Sequence, residues 1–193
     1  MRVFTIINSE TISNIYFITD DNQTEGVLID PGSFAINVYN EIKNIGAMVT
    51  KIIITHNDFD KIKGIPVIKK IYDVEIFTHN SSEYDFKTTK VKHGDTIKIG
   101  NDTGVILETP IKSYDSISLK IANNLFVGDV LQTGGLSSID KTGIPSKLEL
   151  GVIKKHFINL PDNTIIYPEN GPATTIEIEK KFNPFFKRVS NEL

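Results

Sequence analysis

Apolar and polar residues alternate with a period that changes repeatedly along the chain, and each change marks an element. Residues 3–7, 14–18 and 26–29 are short β-rich runs. Asp20-Asp21-Asn22-Gln23, between the second and third runs, has the composition of a hairpin turn. Asp30-Pro31-Gly32 stops the third strand. Ser33 then stands as a helix cap ahead of Phe34, Val38, Ile42 and Ile45 at helical spacing, with Gly46 as the C-terminal cap. Lys51-Ile52-Ile53-Ile54-Thr55 is a continuous β-branched run and predicts a strand buried on both faces. A helix is expected over 62–71, a strand over 74–78 and loop over 80–95. Further strands are expected at 96–99, 104–109, 116–121 and 125–127. A Gly-, Ser- and Thr-rich loop follows at 132–147, then a helix over 148–157, a strand over 164–167 and a last helix over 174–182. Strands followed by helices, twice over, point to sheets covered by helices in a layered α/β or α+β domain.

Composition narrows the class. A chain of 193 residues suits one domain, expected to span 1–193, and 39% apolar with 23% charged residues is a globular balance. The absence of Cys removes disulfides, thiolate metal sites and a thiol nucleophile. No apolar run approaches the ~18 residues of a membrane span, and residues 1–8 read as a strand rather than a secretory signal. No membrane partner and a cytoplasmic location are therefore expected, and three glycosylation sequons (Asn22, Asn80, Asn101) are taken as chance. With 21 Lys+Arg against 24 Asp+Glu, the net charge of -3 disfavours a nucleic-acid partner.

Candidate chemistry gathers just after strand ends. His56, Asp58 and Asp60 follow the buried strand, and Asp129 follows Leu125-Phe126-Val127-Gly128. One imidazole and three carboxylates over a rigid sheet suit a hard metal or acid–base work. The same residues also suit structural duty, Asp60 as a helix cap and Asp129 on turn amides.

These segments resemble the metallo-β-lactamase fold, and within it the compact glyoxalase II-like (hydroxyacylglutathione hydrolase-like) hydrolases. Val27-Leu28-Ile29-Asp30-Pro31-Gly32 resembles the family's LIDPG turn. Ile52-Ile53-Ile54-Thr55-His56 with Asp60 resembles the start of its THxHxDH signature, and Thr109-Pro110 the start of TPGHTPGS. Leu125-Phe126-Val127-Gly128-Asp129 resembles LF(T/V)GD. The segments around Asn14, Leu160 to Pro168, and Gly171 to Phe185 follow in the same order. The resemblance implies a four-layer αββα sandwich of two mixed β-sheets flanked by helices. It also implies a pair of Zn, Fe or Mn ions held by five His and two Asp.

At those ligand positions the sequence departs from the family. His56, Asp60 and Asp129 are kept. Asp58, Lys61, Lys112 and Asn170 stand where the resemblance places histidines, and Ile111 and Asp115 replace the two glycines of TPGHTPGS. His79, His93 and His156 fall at no ligand position and are expected to be surface or core residues. A protonated lysine is no ligand: from an ordinary pKa of about 10.4, deprotonation at pH 7 costs about 4–5 kcal/mol. The expectation is that Lys61 and Lys112 take the place of the ions, paired with Asp58, Asp60 and Asp129, with no cofactor. An alternative keeps one divalent ion (Mn, Fe or Zn) on His56, Asp58 and Asp129, with Lys112 turned away.

Two functional readings follow. In the first, the chain is a catalytically silent relative that binds an unknown small molecule or protein partner, for regulation or structure. In the second, it is a remodelled hydrolase of a thioester, ester or lactone, in which Asp60 or Asp58 activates water and Lys112 steadies the oxyanion.

Overall fold

The computed structural model describes residues 1–137 and 145–191. β1 (Arg2–Ile7), β2 (Asn14–Thr19), β3 (Glu25–Ile29), β4 (Met48–Ile53), β5 (Glu75–His79) and β6 (Thr89–Val91) form one six-stranded sheet in that spatial order. Its first two pairings are antiparallel and the other three parallel. The remaining strands are β7 (Thr96–Ile99), β8 (Asp102–Glu108), β9 (Ile117–Ile121), β10 (Asn124–Gly128), β11 (Leu131–Gln132), β12 (Gly135–Leu136), β13 (Ile165–Pro168) and β14 (Thr174–Thr175). The second six-stranded sheet runs β14-β13-β10-β9-β8-β7, with β10 and β13 parallel, and β11–β12 is a separate small hairpin.

Strand alternation accounts for the layers. Every residue of β2 is buried because both of its faces are covered. Tyr16 and Ile18 pack with Val27, Ile29 and Ile53 against Ile106, Leu119 and Phe126 of the other sheet. Ile15 and Phe17 point the opposite way, with Leu28, Ile52 and Ile54, onto helices α1 (Ile36–Ile45) and α3 (Ile65–Ile71). On the far side, Leu125, Val127 and Ile166 pack under α4 (Lys147–Val152), α5 (Ile176–Phe182) and α6 (Pro184–Asn191). Three apolar layers thus separate helix, sheet, sheet and helix, which is the expected αββα sandwich.

Several local expectations are corrected. The helix expected over 62–71 is two pieces, α2 (Phe59–Ile62) and α3, broken at Gly64. There a Cβ would meet Gly32 O at 2.6 Å, while the Gly64 N–H donates to that same oxygen at 2.8 Å. Ser33 caps no helix: α1 begins after Ala35, and Phe34 turns the chain at φ 53°. The 80–95 segment contains β6, and the 132–147 segment takes in the end of β11 and all of β12, while its residues 138–144 lie outside the described ones. The helix over 148–157 begins as α4 and widens at Ile153–Phe157, where Ile158 N donates to Ile153 O at 2.9 Å. Thr174 and Thr175 pair as strand rather than helix, and α6 follows because Asn183 Oδ1 accepts from Phe185 N at 3.0 Å and restarts the chain.

Candidate functional site

Strands β3, β4, β8, β10 and β13 end on the same side of the sandwich, and the residues that follow them build the site. Ile117 N to Thr55 O at 2.8 Å and Asn14 N to Glu169 O at 2.7 Å join the two sheets at this end, and Glu169 N to Gly128 O at 2.9 Å continues the β10–β13 pairing there.

Asp30 leaves β3 at φ 50°, and its carboxylate accepts from Thr55 N at 2.8 Å and Thr55 Oγ1 at 2.6 Å. The Thr55 hydroxyl proton is thereby committed to Asp30. At 3.1 Å from His56 Nδ1, the same oxygen can only accept, so Nδ1 donates to Thr55 and Nε2 faces the site. Asp58 Oδ2 lies 3.9 Å from that nitrogen, beyond hydrogen-bond distance.

The two lysines lie on different carboxylates. Lys112 Nζ is 2.8 Å from Asp129 Oδ2, and that bond holds the half-exposed ammonium above the ordinary lysine range. Lys61 is 4% exposed, and its Nζ is bound to Glu169 Oε1. Burial pulls the Lys61 ammonium down, but Asp30 and Glu169 outweigh it and hold its pKa raised. Burial pushes the Glu169 carboxyl up; Lys61 opposes that shift, and the charges of Asp30 and Asp129 add to it. This pocket therefore carries more carboxylates than ammonium groups.

Of the residues expected in the pocket, His56, Lys61, Lys112 and Asp129 are in the arrangement just described. The expected pairing of Lys61 with Asp58 and Asp60 is corrected. Asp58 caps α2, accepting from Asp60 N at 2.8 Å. Asp60 is 53% exposed and turns to Lys63 at 3.3 Å, an ammonium it shares with Glu10. Asn170 is half-buried beside Glu169. Among the described residues, the three metal-capable groups with ligand atoms within 4.8 Å of one another are Asp30, His56 and Glu169, a set that includes neither Asp58 nor Asp129. Glu169 and Asp30 were missed as site residues, although both stand directly after a strand, the signal that pointed to Asp129. Asp115, a replaced glycine of the loop, is 1% exposed and accepts from Asn57 N at 3.1 Å, Ser82 Oγ at 2.6 Å and Ser113 Oγ. It ties three loops together and fixes the one that carries Lys112.

Residues 9–168 match the model of the family described as Metallo-beta-lactamase superfamily. The chain belongs to the metallo-β-lactamase superfamily. It is 26% identical to Probable metallo-hydrolase YqgX of Bacillus subtilis, over 92% of this chain and 94% of that protein. It is also 26% identical to Hydroxyacylglutathione hydrolase 1 of Vibrio vulnificus, over 93% of this chain and 85% of that one. The crystal structure of ETHE1 from Myxococcus xanthus superposes with a TM-score of 0.84 at 23% identity, covering 100% of this chain and 91% of that one. BLEG-1 B3 metallo-beta-lactamase superposes at 0.81 and 24%, covering 96% and 99%. These superpositions establish the superfamily fold, and proteins of the superfamily usually bind divalent metals.

Proposed function

We propose that this superfamily member carries ammonium–carboxylate pairs where the family resemblance places the two ions, and acts in binding, regulation or structure rather than hydrolysis. The observation that carries the reading is the pair of contacts made by lysines at two histidine positions: Lys61 buried on Glu169, and Lys112 on Asp129. The donor set fits a dinuclear centre poorly. An ion would have to displace both ammonium groups or deprotonate them, at about 4–5 kcal/mol each before any bond forms. The retained carboxylate at Asp129 is already engaged by Lys112. A bound ligand would meet the half-exposed Lys112 first, Lys61 being sealed beneath.

A second reading, the remodelled hydrolase, draws on the printed names of the relatives and on His56 standing with Asp30 and Glu169. The single-ion version on His56, Asp58 and Asp129 requires Lys112 to leave Asp129. Thioester, ester and lactone substrates, assayed with and without added Mn, Fe or Zn, separate the two. The first reading expects no turnover above background. Turnover that disappears in Lys112→Ala or His56→Ala would put the hydrolase first.

A further inference from the structure

The edges of the two large sheets are protected unequally. β14, β6 and β7 are two, three and four residues long, and Lys90 and Lys98 stand on the last two. Short strands and edge lysines are ordinary protection against pairing with another chain. β1 has neither. It is six residues long, its one charge, Arg2, is at its start, and it pairs with β2 without a bulge. Just past that pairing, Asn8 N donates to Ser13 O at 2.8 Å. Alternation then gives Arg2, Phe4 and Ile6 the backbone bonds to β2, and the N–H and C=O groups of Val3, Thr5 and Ile7 point outward. Asn37 of α1 donates to Ile7 O at 2.9 Å, whereas the outward groups of Val3 and Thr5 have no partner among the described residues. A groove of about 650 Å3 runs beside them, lined by Phe4 and Ile6 of β1 and by Glu41, Asn44 and Ile45 of α1. Glu41 is exposed and has no ion-pair partner among the described residues.

We propose that β1 is the interface of a homodimer, in which the β1 strands of two copies pair antiparallel about a two-fold axis at Phe4. In that register Val3 and Thr5 of one copy exchange backbone hydrogen bonds with Thr5 and Val3 of the other, and Phe4 stands opposite Phe4. The axis falls at Phe4 rather than Thr5 because Asn37 already holds Ile7 O. Charge selects a second copy over another extended segment. Arg2, Phe4 and Ile6 share one face of the strand, and Phe4 and Ile6 pack in the layer that holds α1. The pairing sets Arg2 of one copy opposite Ile6 of the other, on the face where Glu41 lines the groove. Within its own chain Arg2 meets only the neutral Gln23 Oε1, at 2.6 Å. Each copy thus receives an Arg2–Glu41 pair, and one closed contact covers both unprotected edges.

None of these residues takes part in the lysine-filled pocket, so the dimer stands or falls apart from it. Sedimentation velocity of the full chain from about 1 μM to about 1 mM is expected to show a monomer passing into a dimer. Thr5→Pro removes an outward N–H and no bond to β2, and is expected to leave a monomer with the wild-type circular dichroism spectrum. Arg2→Glu and Glu41→Arg are each expected to weaken the dimer about tenfold, since each reverses a contact that the two-fold axis repeats, and the two together to restore it. Both residues are exposed, so these reversals read the contact independently of Thr5→Pro. A monomer at every concentration overturns the proposal, even one that takes up an added extended peptide. So does a dimer indifferent to Thr5→Pro, or a pair of charge reversals that do not rescue each other.

Discussion

Replacing Lys61 with Met removes the ammonium and keeps the stem. The native side chain is 4% exposed and its Nζ is bound to Glu169 Oε1. Glu169 is 11% exposed, its Oε2 has no hydrogen-bond partner, and it faces the charges of Asp30 and Asp129. The variant therefore strands a buried carboxylate. Removing one member of a buried ion pair costs about 3–5 kcal/mol. For a chain of this size each kcal/mol lowers the melting temperature by about 2–4 °C, a loss of roughly 6–20 °C. The pH dependence has a definite sign. Glu169 is raised above its ordinary 4.5 in the folded chain, and without Lys61 it rises further. Between the ordinary and raised values the folded state binds a proton that the unfolded state does not, so stability increases as pH falls. The deficit of Lys61→Met is accordingly largest near neutral pH and shrinks as the pH falls toward the ordinary carboxylate range. In Lys61→Met/Glu169→Gln the stranded Glu169 charge is gone, while buried Asp30 keeps its carboxylate on Thr55, so most but not all of the lost stability returns. Urea unfolding at two pH values measures all of this. Equal stability of Lys61→Met and wild type at neutral pH, or a deficit that does not shrink on acidification, refutes the buried pair.

Other perturbations act on the supports of the site. Asp115→Ala removes the acceptor of Asn57 N, Ser82 Oγ and Ser113 Oγ and is expected to cost about 3 kcal/mol in denaturant, with faster proteolysis of the Lys112 loop. Gly128→Ala is expected to lower the melting temperature sharply in calorimetry: φ is +55°, and a Cβ would lie 2.4 Å from Thr55 Oγ1, the hydroxyl that joins Asp30 to His56. His156, pushed from 6.5 down to about 4, binds its proton more readily in the unfolded chain. Metal-free wild type should therefore lose up to about 3 kcal/mol as pH falls from about 6.5 to about 4, and His156→Gln should flatten that part of the curve.

Much of the fold was legible because burial dictates sequence directly. Ile52-Ile53-Ile54 announces a strand covered on both faces, and Gly46 ends α1 at φ 85° as its position suggests. Helix α6 was not legible, since Asn183-Pro184 reads as a stop. Only the packing of Phe185, Phe186 and Val189 shows that the chain folds back there. In the site, the positions of Lys61 and Lys112 could be read from the motifs, but the partner of Lys61 could not. Asp58 and Asp60 are nearer in sequence, yet α2 turns their carboxylates to its own N-terminus and to Lys63. The residue that meets Lys61, Glu169, comes from a strand of the other sheet, and only the stacking of the two sheets brings it within reach. Asp115 looked like the loss of a flexible glycine and is instead a buried acceptor that organises three loops.

The most direct test is nitrogen-15 NMR of the histidine side chains during zinc addition to the metal-free chain. If the ammonium groups fill the central pocket, the His56 ring signals stay in place through one equivalent of zinc. A one-to-one, saturable movement of the His56 signals that disappears in Asp129→Ala would show that an ion, rather than lysine, belongs there.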